Sequence, residues 1–387
     1  MNTFEKDKSF IAPTYKRFPV EIVGGKGAIL KGSDGKEYID MGSGIAVNTF
    51  GACDDEWLSA VKAQLDTFAH TSNLYYTSPC ADLAQMLCER TGMKNVFFSN
   101  SGAEANECAI KVARRYGAIN KGSDYYTIIT LEKSFHGRTH TTLAATGQES
   151  FHKDFLPLTE GFVHTPPNDI AALNETVRSN KCCGIMIEMV QGEGGVNALD
   201  KEFIEEVNKL CKENDLILIV DEVQTGNGRT GKLYAYMHYG ITPDVVSTAK
   251  GLAGGLPLGA TMLGVKVSDI FEPGLNGSTF GGNPVCCSGA ISIISRLTDD
   301  FLGEVAKKAN LICEKLSGAE GIESISGMGL MIGLKTVKEA KDVVNYCIDN
   351  GVLVLTAKDK VRLLPPLNIE TNELLKALDI IKEACKL

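Results

Sequence analysis

Leu216-Ile-Leu-Ile-Val-Asp-Glu-Val-Gln-Thr-Gly226 places an acid directly after a run of bulky apolar residues. Residues 216–220 are all apolar, as expected for a strand that is buried on both faces of a parallel sheet. Asp221 then stands at the carboxyl end of this strand, the edge at which open α/β sheets bind ligands. The stretch therefore predicts an α/β fold with a ligand site at Asp221.

A second short run, Asp244-Val-Val-Ser-Thr-Ala-Lys-Gly251, ends in Lys250 beside the glycine-rich segment 251–255. A lysine amine reacts with an aldehyde to form a Schiff base. A carboxylate such as Asp221 can pair with a protonated ring nitrogen. Pyridoxal phosphate carries both an aldehyde and a ring nitrogen, so the acid and the lysine at neighbouring strand ends predict a site for this cofactor.

Composition limits the class of protein. The 387 residues are 44% hydrophobic and 22% charged, which is ordinary for a globular enzyme with a large and a smaller domain. The net charge of −9 argues against nucleic acid as a partner. No apolar stretch approaches the roughly 20 residues that cross a bilayer, and residues 1–8 lack the apolar core of a secretory signal. A cytoplasmic protein is therefore expected.

The cysteines do not predict a metal site or disulfides. The chain has twelve, but two pairs are adjacent, Cys182-Cys183 and Cys286-Cys287, and no C-x-x-C occurs. Others, such as Cys88 and Cys108, lie in apolar helical patterns, where a free cysteine behaves as a small hydrophobe. We expect reduced, buried thiols and no metal.

Strand and helix patterns divide the chain into three parts. Residues 1–46 suggest short strands, with Asp34-Gly35 as a hairpin turn, and residues 47–291 alternate strands and helices, as in a mostly parallel sheet. Residues 292–387 suggest a small α+β domain that packs with the N-terminal strands. In the large domain, the predicted strands are Asn95–Ser99, Tyr126–Thr130, Gly184–Glu188, Leu216–Val220, Asp244–Ser247 and Thr261–Val265, and the predicted helices include Ala103–Tyr116 and Lys201–Glu213.

The segment 95–107 has the pattern strand, turn, helix. Ser101 and Glu104 have capping-box spacing, which fixes the start of the helix. Gly102 lets an anion approach the free N–H groups there, so a phosphate site is expected, although the segment alone would also suit an ordinary capped helix.

Two further segments offer side chains that could contact the cofactor or the substrate. Phe135 could stack on a planar cofactor and Arg138 could bind a carboxylate, although they could also be a core side chain and a solvated charge. Glu193, in a glycine-rich loop, needs a partner to be functional, and Arg362 is a candidate.

The segment 226–232 satisfies G-x-G-x-x-G, a pattern that would suit a nucleotide-dependent enzyme. It lies beyond the end of the strand, however, so a plain glycine-rich loop is favoured.

Several motifs occur in order along nearly the whole chain: His70-Thr-Ser-Asn-Leu-Tyr-Tyr-Thr77, Asn100-Ser-Gly-Ala-Glu-Ala-Asn106, Phe135-His-Gly-Arg-Thr139, Gln191-Gly-Glu-Gly-Gly195, Asp221-Glu-Val-Gln-Thr-Gly226, Ala249-Lys-Gly251, Gly277-Ser-Thr-Phe-Gly-Gly-Asn-Pro284 and Arg362-Leu-Leu-Pro-Pro366. In these motifs the chain resembles the class III (ω-amino acid) aminotransferases of the pyridoxal-phosphate fold type I group, most closely the acetylornithine aminotransferases. It departs from the usual pattern at residues 51–56 and at Met189, and these departures concern local loop geometry and not the type of reaction.

The resemblance implies a role for each matching residue. Lys250 would hold the cofactor covalently and carry the substrate proton, and Asp221 would pair with the pyridine nitrogen. A homodimer with a shared site is also implied, because the family residue that corresponds to Thr279 binds the cofactor phosphate in the neighbouring subunit. The other implied cofactor contacts are Ser101, Gly102, Ala103, Phe135, Glu222, Val223 and Gln224, and the implied substrate contacts are Arg138, Glu193, Ser278 and Arg362.

The expected reaction also follows from the resemblance. It converts N-acetylornithine and 2-oxoglutarate to N-acetylglutamate 5-semialdehyde and glutamate, a step of arginine biosynthesis. Glu193 would pair with Arg362 in the ω-amine half-reaction and release it to bind glutamate, while Arg138 holds the far carboxylate. Enzymes for succinylornithine, N-succinyl-diaminopimelate, ornithine or 4-aminobutyrate share most of these motifs. A racemase or aminomutase would keep Lys250 and Asp221 without the switch.

Overall fold

The computed structural model describes residues 1–386. The helices are α1 (Thr3–Phe10), α2 (Ser43–Ala46), α3 (Asp55–Thr67), α4 (Ser78–Thr91), α5 (Gly102–Asn120), α6 (His140–Ala145), α7 (Ile170–Ser179), α8 (Lys201–Glu213), α9 (Pro284–Arg296), α10 (Asp299–Leu316), α11 (Ala340–Asp349) and α12 (Thr371–Lys386). The strands are β1 (Ile22–Lys26), β2 (Ile29–Gly32), β3 (Glu37–Asp40), β4 (Asn95–Ser99), β5 (Thr127–Leu131), β6 (Phe162–Thr165), β7 (Cys182–Ile187), β8 (Val190–Gln191), β9 (Asn197–Ala198), β10 (Ile217–Asp221), β11 (Val245–Thr248), β12 (Gly259–Leu263), β13 (Ile322–Met328), β14 (Met331–Thr336), β15 (Val352–Leu353), β16 (Leu355–Ala357) and β17 (Lys360–Leu363).

The largest sheet has seven strands in the order β4, β12, β11, β10, β7, β5, β6. Only β12 runs antiparallel to its neighbours, so the expected mostly parallel α/β sheet is confirmed. β4 and α8 have the predicted bounds, and the other predicted strands shift by one or two residues. β6 was not predicted.

Both faces of this sheet are covered. Every residue of β7 and β10 is buried. Successive residues of β10 contribute to different hydrophobic clusters: Leu218 and Val220 to one, Ile217 and Ile219 to the other. The second cluster also contains Ala109 and other apolar residues of α5, which therefore covers that face. This two-sided burial explains why the apolar run before Asp221 is continuous instead of alternating.

The two chain ends share a second sheet, in the order β1, β2, β3, β15. β15 pairs in parallel with β3, Val352 opposite Ile39, while β2 and β3 form the hairpin that was predicted around Asp34-Gly35. A third, antiparallel sheet has the order β13, β14, β17, β16, and β13 and β17 were not predicted. The domain boundaries near residues 46 and 291 remain a prediction.

The glycine-rich loop 226–231 has a structural role. Its amides bond to carbonyls of the loop and its flank: Gly228 N to Leu233 O at 3.1 Å and Gly231 N to Gly228 O at 3.0 Å. The buried guanidinium of Arg229 donates to Leu330 O and Pro365 O. These bonds leave the loop poorly suited to a phosphate and make Arg229 a link to the C-terminal part of the chain. Of the helices in residues 1–386, none combines the length and the apolarity needed to cross a membrane.

Candidate active site

A cavity of about 240 Å³ lies at the carboxyl ends of the central strands. Elements that follow β4, β5, β7, β10 and β11 all reach it. Its lining residues are Gly102, Ala103, Asn106, Phe135, His136, Gly137, Arg138, Glu188, Asp221, Val223, Gln224 and Lys250. Eight of these were predicted as site residues, whereas Asn106, His136, Gly137 and Glu188 were not. A larger cleft of about 680 Å³ near Arg90 and Lys232 contains neither the lysine nor the acid, so chemistry and not size identifies the site.

Asp221 is fixed by three donors. One carboxylate oxygen, Oδ2, accepts hydrogen bonds from Asn106 Nδ2 at 2.7 Å and His136 Nδ1 at 2.8 Å, and Oδ1 accepts one from Val223 N at 3.0 Å. The carboxylate is thereby oriented at the cavity wall. Asn106 also donates to the carbonyl of His136 at 2.8 Å, so the two supporting residues hold each other in place. The roles of Asn106 and His136 depend on contacts between distant parts of the sequence, so they were not predicted. Helical spacing does place Asn106 on the same face of α5 as Gly102 and Ala103.

Lys250 adopts a backbone conformation that side chains rarely occupy. Its φ is +43°, and such residues cluster at functional sites where surrounding contacts hold them. Here Asn227 Nδ2 donates to Ala249 O at 3.0 Å, and Thr49 Oγ1 donates to Gly251 O at 2.8 Å, so the backbone on both sides is anchored. Burial lowers the pKa of Lys250, against the raising effect of nearby carboxylates. A lower pKa favours the neutral amine, which is the nucleophilic form.

The start of α5 closes one side of the cavity. Ser101 caps this helix by accepting a hydrogen bond from Glu104 N at 3.2 Å. The predicted capping box is only half formed, because the Glu104 carboxylate accepts from Asn100 N at 2.8 Å. A Cβ built at Gly102 would lie 2.6 Å from Val223 Cγ1, so only glycine fits this close approach. The helix N-terminus and its glycine suit an anion such as phosphate.

The structure brings Glu193 and Arg362 together. Arg362 Nη1 donates to Glu193 Oε1 at 2.6 Å and to Gln224 Oε1 at 3.3 Å. Burial opposes ionisation of Glu193, but the positive charge and hydrogen bond of Arg362 outweigh it and lower the pKa of this carboxyl. Since Gln224 lines the cavity, the ion pair lies at its edge.

Phe135 and Glu188 are coupled across the cavity wall. Phe135 N donates to Glu188 Oε2 at 3.0 Å. Burial, and then the nearby charge of Asp221, raise the pKa of Glu188 well above its usual range. This carboxyl was missed from sequence, although it follows a fully buried strand just as Asp221 does.

Six predicted site residues do not line the cavity: Glu193 and Arg362, which lie at its edge, and Ser101, Glu222, Ser278 and Thr279. The Glu222 side chain faces away from it and accepts hydrogen bonds from Tyr236 N at 2.8 Å and Thr225 Oγ1 at 2.5 Å. Ser101 contributes as the cap of α5. Ser278 Oγ accepts from Asn100 Nδ2 at 3.1 Å, and Thr279 is exposed.

These residues fit pyridoxal phosphate. The start of α5, which has no side chain at Gly102, would admit the cofactor phosphate. The fixed Asp221 carboxylate would face the ring nitrogen, and the buried Lys250 amine would react with the aldehyde. Within residues 1–386 no group of three or more His, Cys, Asp or Glu is arranged to hold a metal ion. Fold and site together define a pyridoxal-phosphate-dependent enzyme of fold type I.

Comparison with known proteins narrows this class. The family model for class-III aminotransferases matches residues 10–385, and the chain belongs to this family. It is 48% identical to an acetylornithine aminotransferase from Haemophilus ducreyi, over 97% of this chain and 96% of the relative. Among solved structures, an N-acetylornithine aminotransferase from Stenotrophomonas maltophilia is 32% identical with a TM-score of 0.84, covering 96% of both chains.

A third relative bears on the cofactor. An ornithine aminotransferase from Toxoplasma gondii, which has pyridoxal phosphate in partial occupancy at its active site, is 30% identical with a TM-score of 0.93, covering 99% of this chain and 93% of that one. The protein is accordingly a pyridoxal-phosphate-dependent aminotransferase that acts on small molecules.

Proposed function

We propose that this aminotransferase transfers the ω-amine of N-acetylornithine to 2-oxoglutarate, giving N-acetylglutamate 5-semialdehyde and glutamate, as a step in arginine biosynthesis. The relatives named above support this substrate, since two of them act on acetylornithine by name. The observation that carries the proposal is the Glu193–Arg362 ion pair at the edge of the cavity.

This ion pair suits two different substrates. The amine of N-acetylornithine that reacts sits on a carbon without a carboxylate, whereas the amine of glutamate has one beside it. Glu193 neutralises Arg362 while the first substrate is bound. When Glu193 moves away, Arg362 binds the α-carboxylate of glutamate through two parallel hydrogen bonds. Arg138 holds the carboxylate at the far end of either substrate.

Three groups of the chain carry the chemistry. When bound, pyridoxal phosphate accepts the electron pair that is released as the substrate C–H bond breaks. Asp221 holds a proton on the pyridine nitrogen, with Asn106 and His136 fixing the carboxylate. Lys250 Nζ takes the proton from the amine-bearing carbon of the substrate and would pass it to the former aldehyde carbon of the cofactor, and in the second half-reaction it would carry a proton in the opposite direction.

A donor screen tests the substrate. The cofactor-loaded protein is assayed with 2-oxoglutarate and, separately, N-acetylornithine, succinylornithine, N-succinyl-diaminopimelate, ornithine and 4-aminobutyrate. We expect the highest kcat/KM with N-acetylornithine. A tenfold preference for another donor would reassign the substrate within the family. Racemisation or amine migration without a 2-oxoglutarate requirement would instead indicate a racemase or aminomutase.

A cytoplasmic homodimer with a shared site is part of the same proposal. Asn73 Nδ2 donates to Ser278 O and Gly281 O, both at 2.9 Å, so the segments 70–77 and 277–283 adjoin. They expose Leu74, Tyr75, Tyr76 and Phe280, with relative exposures of 87, 71, 107 and 60%. An apolar patch of this kind marks a protein interface, and it lies beside Thr279. All twelve cysteines, each within the described residues, are free thiols, which supports a reducing compartment.

Sedimentation of the wild type and of Phe280→Glu tests the dimer. We expect a dimeric wild type, and a monomeric variant that also loses cofactor, because Thr279 of one subunit would no longer reach the other. A monomeric wild type that retains full activity would overturn this part of the proposal.

A further inference from the structure

The aromatic ring of Phe151 has two cationic neighbours. The guanidinium carbon of Arg138 lies 4.2 Å from the ring centroid, and Lys358 Nζ lies 5.8 Å from it. Both distances are within the range of a cation–π contact, about 6 Å. Phe151 packs edge-on against Phe135, with 5.9 Å between ring centroids. Since Phe135 and Arg138 line the cavity, Lys358 lies close to its wall.

Neither cation beside Phe151 is neutralised. In the described chain, neither Arg138 nor Lys358 takes part in an ion pair with a carboxylate. Asp359, which follows Lys358, pairs instead with Lys335 at 2.6 Å. Two positive charges therefore remain available to an external anion.

The backbone fixes the position of Lys358. β16 and β17 pair with Ala357 opposite Lys360, so Lys358 and Asp359 form a two-residue turn. The φ of Lys358 is +55°, as tight hairpin turns of this length require. The same hairpin carries Arg362, opposite Leu355. One element thus presents Arg362 to Glu193 and Lys358 to the ring beside Arg138.

We propose that Lys358 determines substrate specificity: together with Arg138, it attracts the carboxylate that a substrate carries far from its reacting amine. This rests on the proposed function, because N-acetylornithine and glutamate both have such a carboxylate. An anion held at Phe151 lies within a Debye length of both charges, about 10 Å at 0.1 M salt. Lys358 therefore favours ω-amino acids over amines of the same length that lack the carboxylate.

A matched pair of donors isolates this effect, because N-acetyl-1,4-diaminobutane is N-acetylornithine without its carboxylate. In Lys358→Met we expect KM for N-acetylornithine to rise about three- to fivefold, the range of an exposed ion pair. In the same variant, kcat and the KM for N-acetyl-1,4-diaminobutane stay unchanged. Lys358→Glu raises KM for N-acetylornithine about tenfold or more. Lys358→Arg, which keeps the positive charge, leaves this KM within about twofold of the wild-type value.

Lys341→Met is the control, since Lys341 is an exposed lysine on α11 and the net charge changes equally. Equal KM changes for the two donors, or the same change in the control, would overturn the role of Lys358. If the wild type rejects N-acetylornithine, the proposed function fails, but calorimetric titration of the holoenzymes with glutarate still decides the role of Lys358. Weaker glutarate binding by Lys358→Met than by Lys341→Met supports it, and equal binding refutes it.

Discussion

At the scale of single residues, Arg362 has two possible partners that compete for one guanidinium. Glu193 occupies Nη1 at 2.6 Å, while Nε is buried without a partner. An unpaired donor in a buried position is costly unless a ligand engages it, and a substrate carboxylate supplies the missing acceptor. The geometry thus agrees with a guanidinium that exchanges one carboxylate for another during the cycle.

Arg362→Ala is predicted to impair mainly the half-reaction with glutamate or 2-oxoglutarate. A lost charge-assisted pair corresponds to about 1.5–3 kcal/mol, or roughly 10- to 100-fold in kcat/KM. Single-turnover absorbance of the cofactor, recorded with each amino donor separately, measures the two halves. The double variant Arg362→Ala/Glu193→Gln controls for the unpaired carboxylate, and Arg138→Ala is expected to raise KM in both halves. Equal losses in both halves for Arg362→Ala would contradict this division of labour.

At the scale of elements, the turn after β10 buries a carboxyl that faces away from the cavity. Glu222 accepts hydrogen bonds from Tyr236 N and Thr225 Oγ1. Burial, partly offset by these bonds, raises the pKa of Glu222 from 4.5 to about 7. Because the folded state holds its proton more tightly, Glu222 favours folding at low pH, and this contribution is lost as pH rises from about 4.5 through about 7.

Glu222→Gln is therefore predicted to stabilise the protein at pH 8.5 but not at pH 4.5, since the amide stays neutral, its oxygen can accept from Tyr236 N, and its NH2 can donate to Thr225 Oγ1. The gain at high pH is about 3–4 kcal/mol, because a pKa raised from 4.5 to about 7 corresponds to about 1.4 kcal/mol per pKa unit. The difference in Tm between variant and wild type, measured across this range, checks it. Glu202→Gln, on the surface of α8, provides the control. A difference that does not vary with pH would show that Glu222 does not titrate in this range.

The start of α5 gives a second prediction at this scale. Gly102→Ala places a methyl group against Val223, and the displaced side chain or helix end narrows the phosphate approach. We expect the Kd for pyridoxal phosphate to rise at least about tenfold, the equivalent of about 1.4 kcal/mol. Titration of the apoprotein with the cofactor measures this Kd. Gly102→Ala/Val223→Ala removes the clash and should recover most of the affinity; no recovery would mean that crowding is not the cause.

Strand ends were predictable, and supporting contacts were not. Asp221 follows an apolar run and Lys250 follows a short run with several β-branched residues, so a pattern of a few residues located both. Asn106 contacts Asp221 across 115 residues of sequence, which no local pattern reports. The left-handed turn α2, with positive φ at four successive residues from Ser43 to Ala46, also escaped prediction. Ile45 and Ala46 disfavour this conformation locally, and distant bonds such as Ser43 Oγ to Leu364 O at 2.6 Å hold it.

At the scale of the whole molecule, one buried charge joins three parts of the chain. Arg229 belongs to the loop after β10, donates to Leu330 O and Pro365 O near the C-terminal strands, and lies near Asp40 at the end of β3. Burial lowers the pKa of Arg229 to about 9, while burial raises the pKa of Asp40. In both groups burial disfavours the charged form, and the charge of the other residue offsets only part of this effect.

Arg229→Met is predicted to lower the free energy of unfolding by about 3–5 kcal/mol, because Asp40 and the two carbonyls lose their cationic partner in a buried position. Urea denaturation of the cofactor-loaded protein measures the loss. Arg229→Met/Asp40→Asn removes the stranded charge and should recover part of the stability. Arg178→Met, at a residue whose side chain is 71% exposed, should change it by less than about 0.5 kcal/mol. If Arg229→Met loses no more stability than Arg178→Met, Arg229 does not hold the three parts together.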